Sequence, residues 1–164
     1  MKQASLNLNL QLKKTRKQVF LEQMEQVVPW ADLVALIAPY YPEGKNGRPP
    51  FPLMTMLRTH FMQQWFTLSD PAMEEAFFDV PLYREFAQLP EFTRLPDEST
   101  ILRFRHLLER HQLTQAIFEE VRELLRRKGS PESRRQMREI FERQPFGERE
   151  RLVTQKLMEV VKRA

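Results

Sequence analysis

NGRPPFPLMTMLRTHFMQQWFTLSDPAMEEAFFDVPLYREFAQL, residues Asn46–Leu89, contains three helix starts and three helix stops in one run. Its first part, with Pro49, Pro50 and Pro52, forbids helix because proline fixes φ and lacks an N–H. Leu53–Phe66 then runs without a breaker and is apolar nearly all round (Leu53, Met54, Met56, Leu57, Phe61, Met62, Trp65, Phe66), the pattern of a central core helix. Ser69-Asp70-Pro71 is a cap followed by a proline in the first turn, where its missing N–H costs nothing, and opens a helix to Asp79. Pro81 opens another, expected to reach Leu89.

Outward from this block the period remains helical. Val19, Phe20, Met24, Val27 and Val28 fit one face of a helix capped by Thr15 and ended by Pro29. Trp30–Ala38 reads as a short apolar helix stopped by Pro39. Tyr40–Pro52 is a proline- and glycine-rich connector with a basic tip at Lys45 and Arg48, expected to be an ordered loop. Pro90–Pro96 is a turn, and Asp97–His111 and Leu113–Lys128 are two further helices. Ser130-Pro131-Glu132 repeats the cap-and-proline signal, predicting a helix to Arg143 and a last one over Glu148–Lys162.

Ser5–Leu12 alone alternates polar and apolar residues with the period of a strand. A lone strand is unstable, so this segment is either a frayed arm or pairs with a second copy in an isologous dimer. The expected fold is therefore all-α: an arm over 1–14, a multi-helix domain over 15–129 and a two-helix appendage over 130–164. The apolar stripe of the last helix (Leu152, Val153, Leu157, Met158, Val160, Val161) wants the core, a second copy or another protein as partner.

Composition narrows the classes. With 164 residues and 41% hydrophobic content the chain can form one ordinary domain, and four glycines among many Phe, Leu and Met favour helix over sandwich or barrel. Zero cysteines exclude disulfides, thiolate zinc sites and cysteine nucleophiles. His106 and His111 are five residues apart rather than the four that face one metal, and no carboxylate cluster joins them. No Gly-rich phosphate loop or nucleophile elbow occurs, so neither a metal nor another cofactor is expected. No apolar stretch approaches the roughly 20 residues that span a bilayer, and no signal peptide is visible, which predicts a cytoplasmic protein without membrane contact. A net charge of +4 and a pI near 9.6 permit a nucleic-acid partner.

The strings GRPPFPL, MLRTHFMQQW and LSDPAMEEAFFD, followed by PDESTILRFRHLLE at Pro96–Glu109, closely resemble the N-terminal domain of bacterial DDE-class insertion-sequence transposases, the group named after insertion sequence five. The resemblance runs from about Thr15 to Gly129. It implies a helical domain that binds the element's terminal double-stranded DNA, in the nucleoid, while the metal-binding carboxylates belong to a separate, later domain. No aspartate follows Asp97 and no strand-rich run follows Gly129, so no catalytic residue can be carried over and a non-enzymatic role is expected.

The helix Asp97–His111 is the candidate recognition element, braced by the two short helices before it in a helix-turn-helix-like arrangement. At about 100° per residue, Ile101, Phe104, Leu107, Leu108 and His111 share one face and Ser99, Arg103, His106 and Arg110 the other. Arginine can pair bidentately with guanine, and the helix start at Ser99 and Thr100 could present N–H groups to phosphate. Lys13, Lys14, Arg16 and Lys17, all ahead of the first acid at Glu22, could form a basic arm on the DNA backbone, with Arg48 a further contact. The alternative for each is an ordinary solvated charge. Arg126, Arg127 and Lys128 suit a helix C-terminus and are read as structural. Three functions follow: a DNA-binding regulator or repressor, a protein–protein adaptor on a retained transposase fold, or a recognition subunit for a separate catalytic protein.

Overall fold

The computed structural model describes residues 13–128 and, beyond them, Pro131 alone. The strand expected at Ser5–Leu12 and the two C-terminal helices, save that one residue, lie outside the described residues. Within them the fold is all-α, with seven α-helices: α1 (Arg16–Val27), α2 (Trp30–Ile37), α3 (Leu53–Phe66), α4 (Asp70–Asp79), α5 (Pro81–Phe86), α6 (Glu98–Arg110) and α7 (Leu113–Lys128).

The caps read from sequence at Thr15 and Ser69 are in place, and Asp97, expected as the first residue of its helix, is a cap as well. Each accepts a backbone N–H from three residues on, at Gln18, Ala72 and Thr100. Pro39 does not end α2 abruptly; the chain tightens into a 3-10 turn at Ala38–Tyr40. Helix α5 stops at Phe86, three residues before the expected end. Gln88 has φ 62°, and Leu89 N–H turns back to Arg84 O at 2.9 Å. Helices α3 and α6 close in the same left-handed way at Thr67 (φ 53°) and Gln112 (φ 55°), positions where glycine would be the cheaper residue.

Helix α3 is the centre of the core, as its composition implies. Met56, Leu57, Phe61, Met62 and Trp65 are buried, but so are Thr55, Arg58, Thr59, His60 and Gln63. The side chains of α1 turn slightly from the expected face: Phe20, Leu21, Met24 and Val28 go inward while Val19 is exposed. Phe20 meets Trp65 edge-on at 5.3 Å, and Trp30 meets Phe61 at 5.4 Å and Phe86 at 5.9 Å, giving one aromatic cluster shared by α1, α2, α3 and α5.

Arg58 runs through this cluster with 3% of its side chain exposed. An unpaired charge there would be prohibitive, and its guanidinium is met from several elements. Glu25 of α1 accepts from both terminal nitrogens, one at 2.8 Å, and Phe86 O of α5 accepts at 3.2 Å. The guanidinium carbon lies 4.5 Å from the Trp30 ring centroid and 5.0 Å from that of Phe86, inside cation–π range. The hydrogen bonds from Arg58 hold the Glu25 carboxyl below the usual glutamate range, against a smaller opposing effect of burial.

Because Glu25 binds its proton less readily folded than unfolded, its contribution is complete above the unfolded value of about 4.3 and drains away as pH falls through the lower folded value. Glu25→Gln should therefore destabilise the fold at neutral pH, by about 1 kcal/mol because the half-exposed carboxylate is screened by solvent, with the loss shrinking as pH falls below the usual glutamate range. Chemical denaturation of both proteins across that range measures it. Equal losses at pH 7 and pH 3 would mean that the ion pair contributes nothing.

Candidate nucleic-acid interface

Two features determine which way α6 faces. Ile101, Phe104 and Leu108 are buried, with the Phe104 ring edge-on to His60 of α3 at 6.4 Å and to Tyr41 at 6.2 Å. On the flank, Arg105 Nη2 donates to Asp70 Oδ2 at 2.5 Å, and Gln63 Nε2 donates to the other Asp70 oxygen at 2.9 Å. Asp70, in the first turn of α4, thus fixes α3, α4 and α6 relative to one another. With the buried stripe and flank fixed, Ser99, Arg103, His106 and Arg110 are left exposed together, as the helical spacing anticipates. Leu107 is half-buried, and His111 instead lies outside, stacked on Tyr40 at 4.5 Å.

The connector from Tyr41 to Phe51 folds against the first turns of α6. The Tyr41 hydroxyl donates to Phe51 O at 2.5 Å, and burial pushes its pKa up to about 12. Gly47 has φ 84°, and a Cβ on Gly44 would meet Pro50 Cδ at 3.0 Å, so both glycines are needed where they stand. Arg94 closes the loop from the other side: its guanidinium lies 4.1 Å from the Phe51 ring centroid and Nη2 donates to Pro49 O at 3.0 Å. Between connector and helix is a cleft of about 550 Å³ whose lining includes Arg48, Arg94, Arg103 and Thr100, the carboxylates Glu43 and Asp97, and Tyr41, Pro49, Pro50 and Phe51.

The start of α6 is already occupied by its own cap. Asp97 Oδ1 accepts Thr100 N–H at 2.7 Å and the Ser99 hydroxyl at 3.0 Å. These hydrogen bonds, the backbone one foremost, together with Arg103, hold the Asp97 carboxyl below the usual aspartate range. A phosphate at this helix end would face a carboxylate, so the cationic character here comes from the arginines around the cleft.

The basic residues before Glu22 form a second group on different elements. Lys17 Nζ donates to Tyr83 Oη at 2.8 Å and sits over the Phe66 and Tyr83 rings, 4.9 and 5.1 Å from their centroids. Lys14 pairs with Glu22 at 2.9 Å. Lys13 and Arg16 are exposed and have no ion-pair partner among the described residues. The structure thus gathers Arg48, Thr100 and Arg103 at one cleft and places the lysine-rich start of α1 against α3 and α5. On α7, Arg126 and Arg127 pair with Glu123 at 2.8 and 3.6 Å, in keeping with their structural reading.

Arg58, Arg94 and Arg105 escaped the sequence reading. Each is defined by partners distant in the chain (Glu25, Pro49 and Asp70), and periodicity carries no trace of such pairs. Among the described residues no three His, Asp or Glu side chains group as metal ligands, and no helix is long and apolar enough to cross a membrane.

Residues 8–107 match the family model described as Transposase domain (DUF772), and the chain belongs to that family. No solved structure matches the chain.

Proposed function

We propose that this chain is a non-catalytic, transposase-derived protein that binds double-stranded DNA, recognises sequences like terminal inverted repeats and acts as a regulator or repressor at the nucleoid. The observation that supports it most is the exposed row Ser99, Arg103, His106 and Arg110 on α6, continued by Arg48 and Arg94 around the adjoining cleft. In this reading α6 enters the major groove, α4, which packs against it, braces it, and Arg103 and Arg110 read base edges. Lys13 and Arg16 approach the backbone from the α1 side, while Lys14 and Lys17 can join only by leaving Glu22 and Tyr83.

Arg103→Ala and Arg110→Ala should each weaken binding of a selected duplex by roughly 1–3 kcal/mol and relax its sequence preference. Lys13→Ala should weaken all duplexes about equally and lower the salt dependence. Fluorescence anisotropy against a selected site and a scrambled one separates these effects. Unchanged binding by the Arg103→Ala, Arg110→Ala double variant would remove α6 from the interface.

The non-catalytic part rests on the absence of any aspartate after Asp97 in this sequence. The pure protein should neither nick nor join supercoiled plasmid in magnesium or manganese. Chelator-sensitive cleavage that persists through further purification would contradict it.

Recognition of repeated DNA suits a homodimer, and the sequence alternation of Ser5–Leu12 and the apolar stripe of Glu148–Lys162 supply two segments for self-association. Deleting residues 1–12, or Leu157→Glu, should each shift the mass in solution towards monomer by light scattering. A monomeric intact chain at high micromolar concentration would sink the dimer and leave the C-terminal stripe for another protein.

A further inference from the structure

Four non-glycine residues among those described have positive φ, and three of them terminate helices: Thr67 after α3, Gln88 after α5 and Gln112 after α6. The fourth, Phe92 (φ 59°), ends no helix and lies in the turn between α5 and α6. Its side chain is fully exposed, at 105% of the reference area. Folding gains nothing from a phenylalanine there: the ring leaves water for no neighbour, and an aromatic side chain in the left-handed region is strained. Single exposed rings are common, but one held in a strained backbone conformation points to an external contact.

The surroundings specify the contact's chemistry. Phe92 is two residues from Arg94, so their Cα atoms are at most about 7 Å apart. Arg94 is anchored on Phe51 and Pro49 at the edge of the cleft that Arg48 and Arg103 also border. An exposed ring beside Arg48, Arg94 and Arg103, which outnumber the cleft's two carboxylates Glu43 and Asp97, matches a polyanion that carries flat π-faces along its length. A protein partner would need an apolar surface beside an acidic one; DNA provides both chemistries in every nucleotide.

We propose that Phe92 is a base-stacking wedge: it inserts against a nucleobase at the edge of the α6 footprint while Arg48 and Arg94 hold the flanking phosphates. This rests on the DNA-binding reading and adds to it a specific deformation, a locally unstacked base step. The wedge carries no charge, so its contribution is separable from that of the arginines by salt.

The test uses the full-length chain and a selected duplex bearing 2-aminopurine at successive positions. Phe92→Ala should lower affinity roughly 5- to 150-fold, the range for losing one aromatic–base stack. Its salt slope should equal that of the parent, whereas Lys13→Ala lowers the slope. Phe92→Trp should restore affinity, and one 2-aminopurine position should change emission on binding of the parent and the Trp variant but not of the Ala variant. If Phe92→Ala binds as the parent does, with the same emission at every position, the wedge is overturned while the arginine effects leave the DNA reading standing. If instead Phe92→Ala changes only the mass of the protein in solution, the ring is a protein contact and the proposal fails. A parent chain that binds no duplex ends both readings.

Discussion

The fold depends on a positive charge placed where no charge is cheap. Arg58 sits in the middle of α3 with its guanidinium between Trp30 and Phe86, and it is tolerable only if Glu25 and the Phe86 carbonyl reach it together. Helices α1, α2 and α5 therefore cannot close on α3 in arbitrary orientations. Glu25 keeps 47% of its side chain exposed, so the pair lies at the rim of the core, its acid in water and its base inside. A buried ion pair is weak evidence of extra stability; what it offers here is selection of one packing among several that an aromatic-rich core would accept.

The same logic is repeated more mildly at the other end of α3. Asp70 receives Gln63 from α3 and Arg105 from α6, and this small network, with Phe104 packed beside His60, sets the rotation of α6 about its own axis. The exposed face of α6 is what remains once those contacts are made. Arg94 does for the connector what Asp70 does for the helix, pinning Phe51 and Pro49 so that Arg48 and Arg103 border a defined cleft. Core polarity and surface polarity are linked parts of one arrangement.

The helices were legible where local chemistry fixes them. Ser69 before Pro71, Thr15 before Gln18 and the break at Pro29 are decided within one turn of chain, and the apolar run of α3 allows one interpretation. The ends of α3, α5 and α6 were less so, because Thr67, Gln88 and Gln112 take a left-handed conformation that their residue types disfavour. On α1 Leu21 is buried and Val19 exposed while Phe20 packs against Trp65 and Phe66, a small rotation that periodicity averages away. In the candidate site, α6 was readable because its exposed face is the complement of a regular buried stripe. Arg94 and Phe92 lie in a turn with no period, and the roles of Lys14 and Lys17 depend on Glu22 and Tyr83.

The central claim, that the α6 face and its arginine cleft recognise particular DNA, is tested most directly by capturing the intact protein with its bound genomic DNA from cells and sequencing the fragments. The account predicts recovery of a limited set of sites sharing a short, repeated or inverted motif, lost when Arg103 and Arg110 are both replaced by alanine. Fragments distributed like the input genome, or a motif that survives that double replacement, would contradict it.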